Sequence, residues 1–277
     1  MAPRTVFISV DAEGMPYVPY RKMLSPGDPL YNELRDIMTR VTRITIDALH
    51  DMEVEHIIVA DSHGSMVNLR PLEMPGYVEL IRGFPRSLMM VTGADEADAG
   101  IFLGYHSSPG VGGVLSHTYA GRIVQRVTVN GYSDVTEYYL NLLALGEMGV
   151  PLIMVAGDSA LELCVKRHTP WAVFLELKKH VSTLADRSIG WPQIEYRLKK
   201  AVEKAIEIYE EGEARPVRPE NPEILLELKR PWHADIAELY PCVERIDGVR
   251  VKLACDNYLD NLKLMEGIII AAYSLER

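Results

Sequence analysis

Cysteine is scarce: Cys164, Cys242 and Cys255 are the only three in 277 residues. So few, so widely spaced, exclude a disulfide framework or a CxxC zinc ribbon, and they favour a reducing compartment. Long apolar runs are missing too. The run before Asp11 is shorter than the ~7–15 residues of a signal-peptide core. The apolar stretch at 267–273 is far below the ~18 residues that span a bilayer. Both point to a cytoplasmic protein with no membrane partner. Positive charge is in deficit, with 29 Lys and Arg against 39 Asp and Glu, a net −10 at pH 7. An acidic surface repels phosphate backbones, so a nucleic-acid partner is not expected. There is no HExxH, P-loop or GxSxG motif. Gly110, Gly112 and Gly113 form a flexible turn, with no GxGxxG opening a helix. No internal repeat or low-complexity tract is present.

What is present is a globular composition, 48% hydrophobic and 25% charged, in a chain long enough for one large domain or two modest ones. Short apolar runs alternate with helical patterns. VFISV (6–10), IIVA (57–60), VELI (78–81), IFLG (101–104) and LIMVA (152–156) read as buried strands. Residues 31–52 carry Leu34, Ile37, Met38, Val41, Ile44, Ala48 and Leu49 at helical spacing, and residues 191–211 repeat the pattern. RIVQRVTVNG (122–131) alternates and ends in a turn pair, followed by a helix over about 135–148. The expected fold is α/β, a mostly parallel sheet covered by helices on both faces. The proline-rich ARPVRPENPE (214–223) divides a catalytic domain, 1–215, from a smaller C-terminal α+β part, 216–277.

The chemistry gathers where the strands end. The first runs into Asp11-Ala-Glu13, the second into Asp61-Ser-His63, and IFLG runs into Tyr105-His106. Ligands of open parallel sheets bind beyond the carboxyl ends of the strands, so these side chains are expected to converge. Asp11, Glu13, His63 and His106 are two carboxylates and two imidazoles, a donor set suited to zinc, manganese or cobalt. Carboxylates two residues apart repel unless a cation lies between them, and Gly14 is expected to let the chain turn away. A pair of metals ~3.5–4 Å apart needs a fifth ligand. Glu137 and His117 are further candidates, Glu137 also fitting a capping box with Asp134. Asp61 and Asp158 read as turn and cap residues. His50, His56, His168, His180 and His233 read as ordinary structural histidines, and Cys164 and Cys255 as core.

The motifs SVDAEG (9–14), ADSHGSMVNL (60–69), FLGYHS (102–107), GVLSHT (113–118), VNG…EYYLN (129–141) and VPLIMVAGD (150–158) follow one another in that order. In them the chain resembles the bacterial and archaeal D-aminopeptidase family of metallopeptidases. Beyond 158 the likeness rests mainly on VKLACDNYLDNLKLMEG (251–267). The resemblance implies two zinc ions per subunit. Asp11 would bridge them, Glu13 and His63 would complete one site, and His106 and Glu137 the other. It gives His117 the role of catalytic histidine, and it implies a homo-oligomer, a decamer of two stacked pentamers. Tyr138 and Tyr139 stand where the family has small residues, and are expected to narrow or reshape the pocket. The expected activity is removal of N-terminal D-amino acids from small peptides by metal-activated water. The alternatives are another dinuclear amide or phosphoester hydrolase, or a non-catalytic metal- or peptide-binding module.

Overall fold

The computed structural model describes residues 1–276. The first half alternates strands and helices: β1 (Thr5–Val10), α1 (Tyr31–Asp51), β2 (His56–Asp61), β3 (Val78–Ile81), β4 (Ala99–Tyr105), β5 (Val124–Val129), β6 (Tyr132–Ser133) and α2 (Glu137–Glu147). There follow β7 (Leu152–Asp158), α3 (Glu162–His168), β8 (Val173–Ser182), β9 (Ala185–Arg187) and α4 (Trp191–Glu210). The chain closes with β10 (Ile224–Leu228), α5 (Pro231–Ala237), β11 (Val243–Arg245), β12 (Arg250–Leu253) and α6 (Tyr258–Tyr273). Among the described residues no helix is long and apolar enough to cross a membrane.

The larger sheet has seven strands in the order β3-β2-β1-β4-β7-β8-β9. All neighbours are parallel except β8 and β9. From β1 the chain builds outward through β2 to β3, then returns to β4 and builds the other way. The order therefore reverses between β1 and β4, and a crevice opens beyond their carboxyl ends. Both faces are covered, as expected. Val6, Ile8 and Val10 pack with the apolar stripes of α1 and α4, whereas Phe7, one residue out of phase, packs on the opposite side with α2 and α6. Each such fully buried aliphatic contributes about 1.5–3 kcal/mol.

A second, antiparallel sheet has five strands in the order β11-β12-β10-β5-β6. It draws on both sides of residue 215: β5 and β6 precede it, and β10 pairs with β5 from Leu225↔Thr128 onward. One expectation about cysteine is corrected: Cys255 is partly buried and lies outside the hydrophobic cores, whereas Cys164, also partly buried, packs against the core that α2 and α6 share.

His168, at the end of α3, packs against Tyr139 with ring centroids 4.3 Å apart and the planes tilted by 39°. Burial, then the neighbouring Arg167, pushes its pKa down to about 4. The unfolded ring takes up its proton near 6.5. Between those values the unfolded chain binds more protons than the folded one, so this residue's contribution to stability is lost as pH falls. Unfolding of the native chain between pH 7 and 5 is therefore expected to show a steeper acid decline than that of His168→Gln. Superimposable pH profiles would contradict this.

Candidate metal centre

The crevice at the reversal holds the expected cluster. Asp11 follows β1, and its N–H donates to Leu103 O of β4 at 2.8 Å. Three residues on, Gly14 N–H donates to Gly104 O at 2.7 Å, which folds the Asp11–Glu13 segment against the end of β4. Gly14 is there for close approach rather than for turning: a Cβ at this position would collide with the Tyr105 carbonyl oxygen. His63 enters from beyond β2, which is held by Ser62 N–H donating to Val10 O at 2.8 Å. His106 follows β4 directly. Glu137 opens α2, capped by the Thr136 hydroxyl, which accepts from Tyr139 N–H at 3.1 Å. Asp134 is not the cap; it pairs with Arg126 at 2.8 Å, and Glu137 is left to face the crevice.

Asp11 lies at the centre. Its Oδ1 is 3.4 Å from His63 Nδ1 and its Oδ2 is 3.5 Å from His106 Nε2. On the first side Glu13 Oε2 is 3.0 Å from His63 Nδ1; on the second Glu137 Oε1 is 3.6 Å from His106 Nε2. His117 Nε2 spans the two sides, 3.9 Å from Glu13 Oε1 and 3.7 Å from Glu137 Oε1. Its ring stacks on that of His106 at 4.6 Å. Two triads offer donor atoms mutually within 4.8 Å: Asp11, Glu13 and His106, and His106, His117 and Glu137. Asp11, Glu13, His63, His106 and Glu137 are all buried, whereas His117 keeps a quarter of its side chain exposed.

The donor chemistry fits divalent cations. His63 Nε2 lies 3.2 Å from Leu24 O, His106 Nδ1 2.9 Å from Ser107 O, and His117 Nδ1 3.1 Å from Leu115 O. A carbonyl oxygen only accepts, so each of these nitrogens carries the proton. In the neutral ring the other nitrogen then turns a lone pair toward the carboxylates, as in histidine metal ligands. Among the described residues Asp11 Oδ2, Glu13 Oε2 and His106 Nε2 are buried without a hydrogen-bond partner. Buried polar atoms left unpaired are costly, and three facing one another mark a place for a cation. Burial, then repulsion from Glu13, pushes the Asp11 carboxyl up to about 8. Burial also pushes Glu13 up, but His63 and the other imidazoles hold it well below the usual range. His106 resists burial and rises to about 10 beside Glu137. A bound cation would reverse the shifts of Asp11 and His106, ionising the one and deprotonating the other, and would hold Glu13 ionised as it already is.

The described residues 5–267 match the family model described as D-aminopeptidase. This chain belongs to the D-aminopeptidase family. A D-aminopeptidase of Bacillus subtilis (strain 168) is 29% identical over 241 residues, 86% of each chain. The fold also matches a solved structure described as the Zn-dependent D-aminopeptidase DppA from Bacillus subtilis, a self-compartmentalizing protease. That match has a TM-score of 0.89 at 27% identity and covers 97% of this chain and 98% of the other.

Around the cluster, this D-aminopeptidase-family chain has features that its sequence did not announce. Tyr119 N–H donates to Glu137 Oε1 at 2.6 Å, and its hydroxyl donates to Asn141 Oδ1 at 2.7 Å. Asn141 Nδ2 donates to the Tyr105 hydroxyl at 3.0 Å, and that hydroxyl bonds Ser9 at 2.8 Å. This buried chain of polar groups braces the floor of the crevice. A lone Asn inside the apolar EYYLNLLAL was the available signal for it. Asp61 spends both oxygens on the following turn, accepting from Asn68 Nδ2 and Leu69 N–H at 2.7 Å each. Asp158 caps the next turn at Ala160 N–H and also accepts from Val114 N–H at 2.6 Å, steadying the segment that carries His117.

The expectation for the two tyrosines is corrected. Tyr138 is buried, with its hydroxyl 2.7 Å from that of Thr169. Tyr139 lines a separate cleft with Tyr132, Cys164 and His168. Helix geometry turns successive residues about 100° apart, which carries Tyr138 to a flank of α2 and Tyr139 to the face opposite Glu137.

Proposed function

We propose that this chain is a zinc-dependent aminopeptidase that removes N-terminal D-amino acids from short peptides. The observation that carries the reading is the placing of the two Asp11 oxygens, one toward His63 and Glu13, the other toward His106 and Glu137. On this reading Asp11 would serve two ions, with Glu13 and His63 holding one and His106 and Glu137 the other. Zinc, when bound, supplies Lewis acidity that makes water nucleophilic near neutral pH and polarises a carbonyl. His117 is the proton-handling residue. Its Nδ1 is committed to Leu115 O, so Nε2 accepts a proton as the nucleophile forms and, once protonated, faces the developing oxyanion. Its partial exposure leaves that nitrogen open to substrate. The buried, acidic cluster also gives a free N-terminal amine an anionic anchor, which suits an exopeptidase.

The reading extends to a cytoplasmic homo-oligomer, a decamer. Assembly as such is supported by the solved neighbour's description as self-compartmentalizing. Light scattering is expected to give about ten times 31.1 kDa, and a monomer mass would contradict the assembly.

The activity is tested by a panel of D-alanine and L-alanine p-nitroanilides and p-nitrophenyl phosphate. Zinc-loaded enzyme is expected to turn over the D-anilide at least about 100-fold faster than the others, to lose that activity to a chelator and to regain it with zinc. Preferred phosphate release would favour a different dinuclear hydrolase. Substrate binding without product would favour a non-catalytic module.

A further inference from the structure

Two cavities meet over the ligand cluster, and their walls differ in chemistry. The inner one, about 280 Å³, is walled on one side by Met66, Phe84, Met89, Met90 and Ile269. Of these, all but Phe84 are buried. The outer one, about 630 Å³, is bordered by Arg21, Lys22 and Arg122. Glu13, His63, His117, Tyr119 and Tyr273 line both, so the two are lobes of one groove with the reacting centre at the waist.

The direction of a bound peptide follows from burial. A free N-terminal residue has nothing beyond its amine, so it fits the closed end, where unbranched, polarizable methionines adapt to apolar side chains of varied shape. The rest of the peptide leaves through the open lobe. There the chain, acidic overall at −10, presents three cations. Arg21, Lys22 and Arg122 are exposed, and among the described residues none lies within 4.0 Å of a carboxylate. Besides Glu13 of the ligand cluster, the outer lobe's one acid is Asp28, whose Oδ1 already accepts from Leu30 N–H at 3.0 Å. Unpaired cations at the mouth of a site suit an anionic ligand group.

We propose that this enzyme selects short peptides with a free C-terminal carboxylate, which Arg21, Lys22 and Arg122 hold while an apolar N-terminal side chain fills the methionine-walled lobe. The proposal deepens the aminopeptidase reading and rests on it. It makes the enzyme a consumer of di- and tripeptides, the products of more extensive peptide breakdown, rather than of long chains or capped peptides.

The test compares D-leucylglycine with its C-terminal amide on the zinc-loaded enzyme. Both keep the same amine and the same scissile bond. The free acid is expected to show kcat/KM about tenfold or more above the amide, mostly through KM, with the gap shrinking at high salt. In Arg21→Gln/Lys22→Gln/Arg122→Gln the ratio should fall to about one. An acid-to-amide ratio near one in the native enzyme, or a ratio unmoved in the triple variant, overturns the proposal. If neither peptide nor D-alanine p-nitroanilide is hydrolysed, the aminopeptidase reading itself fails. Calorimetric binding of the two uncleaved peptides then decides this inference: tighter binding of the acid sustains it, and equal binding overturns it.

Discussion

Replacing Asp11 with alanine is expected to remove both zinc ions and to lower kcat/KM toward the D-anilide by at least about 10³-fold, equivalent to about 4 kcal/mol of transition-state stabilisation. The expectation follows from where the two oxygens point. Each faces a different imidazole and a different second carboxylate, so one truncation strips both halves of the cluster. Neighbouring side chains offer no substitute. Asp61, next nearest in the sequence pattern, has both oxygens engaged in its own turn. The metal-free protein should not suffer in parallel. Burial and repulsion from Glu13 outweigh the contacts that Asp11 makes to His63 and His106, so its loss is expected to cost the metal-free fold little. Metal content by elemental analysis, turnover and the melting temperature of the metal-free variant separate these effects. Retained zinc with full turnover would rule out Asp11 as the bridge.

His117→Ala is expected to behave differently, with zinc retained and kcat reduced about 10²- to 10³-fold at nearly unchanged KM. The difference is one of position. His117 is the member of the cluster with an exposed edge, and it stands on a turn-rich segment rather than at a strand end. Its Nε2 is nevertheless within 3.7 Å of Glu137 Oε1, close enough to join His106 and Glu137 around an ion. The metal measurement therefore decides its role. Loss of one zinc per chain in His117→Ala would make it a ligand and leave the proton-handling role without an owner.

The parts of this molecule that could be read from the sequence are those with local signals. Buried parallel strands are continuous apolar runs, and each of β1, β2 and β4 breaks into polar residues where it leaves the sheet. Asp11, His63 and His106 were therefore readable together. The long helices α1 and α4 announce themselves by spacing, and Leu34, Val41 and Leu198 are buried as the pattern required. Glu137 was not readable in this way. Its reach into the crevice depends on Thr136 rather than Asp134 taking the cap and on Tyr119, eighteen residues earlier, holding its oxygen. Its position at the start of a helix made it one candidate among others, and only the family resemblance assigned it as the fifth ligand.

β8 and β9 escaped for another reason. The stretch LKKHVS in β8 offers no continuous apolar run, yet Lys178 there is buried and donates to Val18 O at 2.8 Å. That contact belongs to tertiary structure and leaves no trace in local pattern. The pairing of β5 with β10, about a hundred residues apart, is equally silent in sequence. The tyrosines after Glu137 mislead in the opposite way. Adjacency in sequence suggested a shared pocket, and the turn of the helix sends them elsewhere.

The most direct measurement is an anomalous difference map collected at the zinc absorption edge from crystals of the zinc-loaded protein. Two peaks are expected ~3.5–4 Å apart, on either side of the Asp11 carboxylate, with His63 and Glu13 against one and His106 and Glu137 against the other. A single peak away from Asp11, or none in this crevice at full zinc loading, would contradict the dinuclear centre.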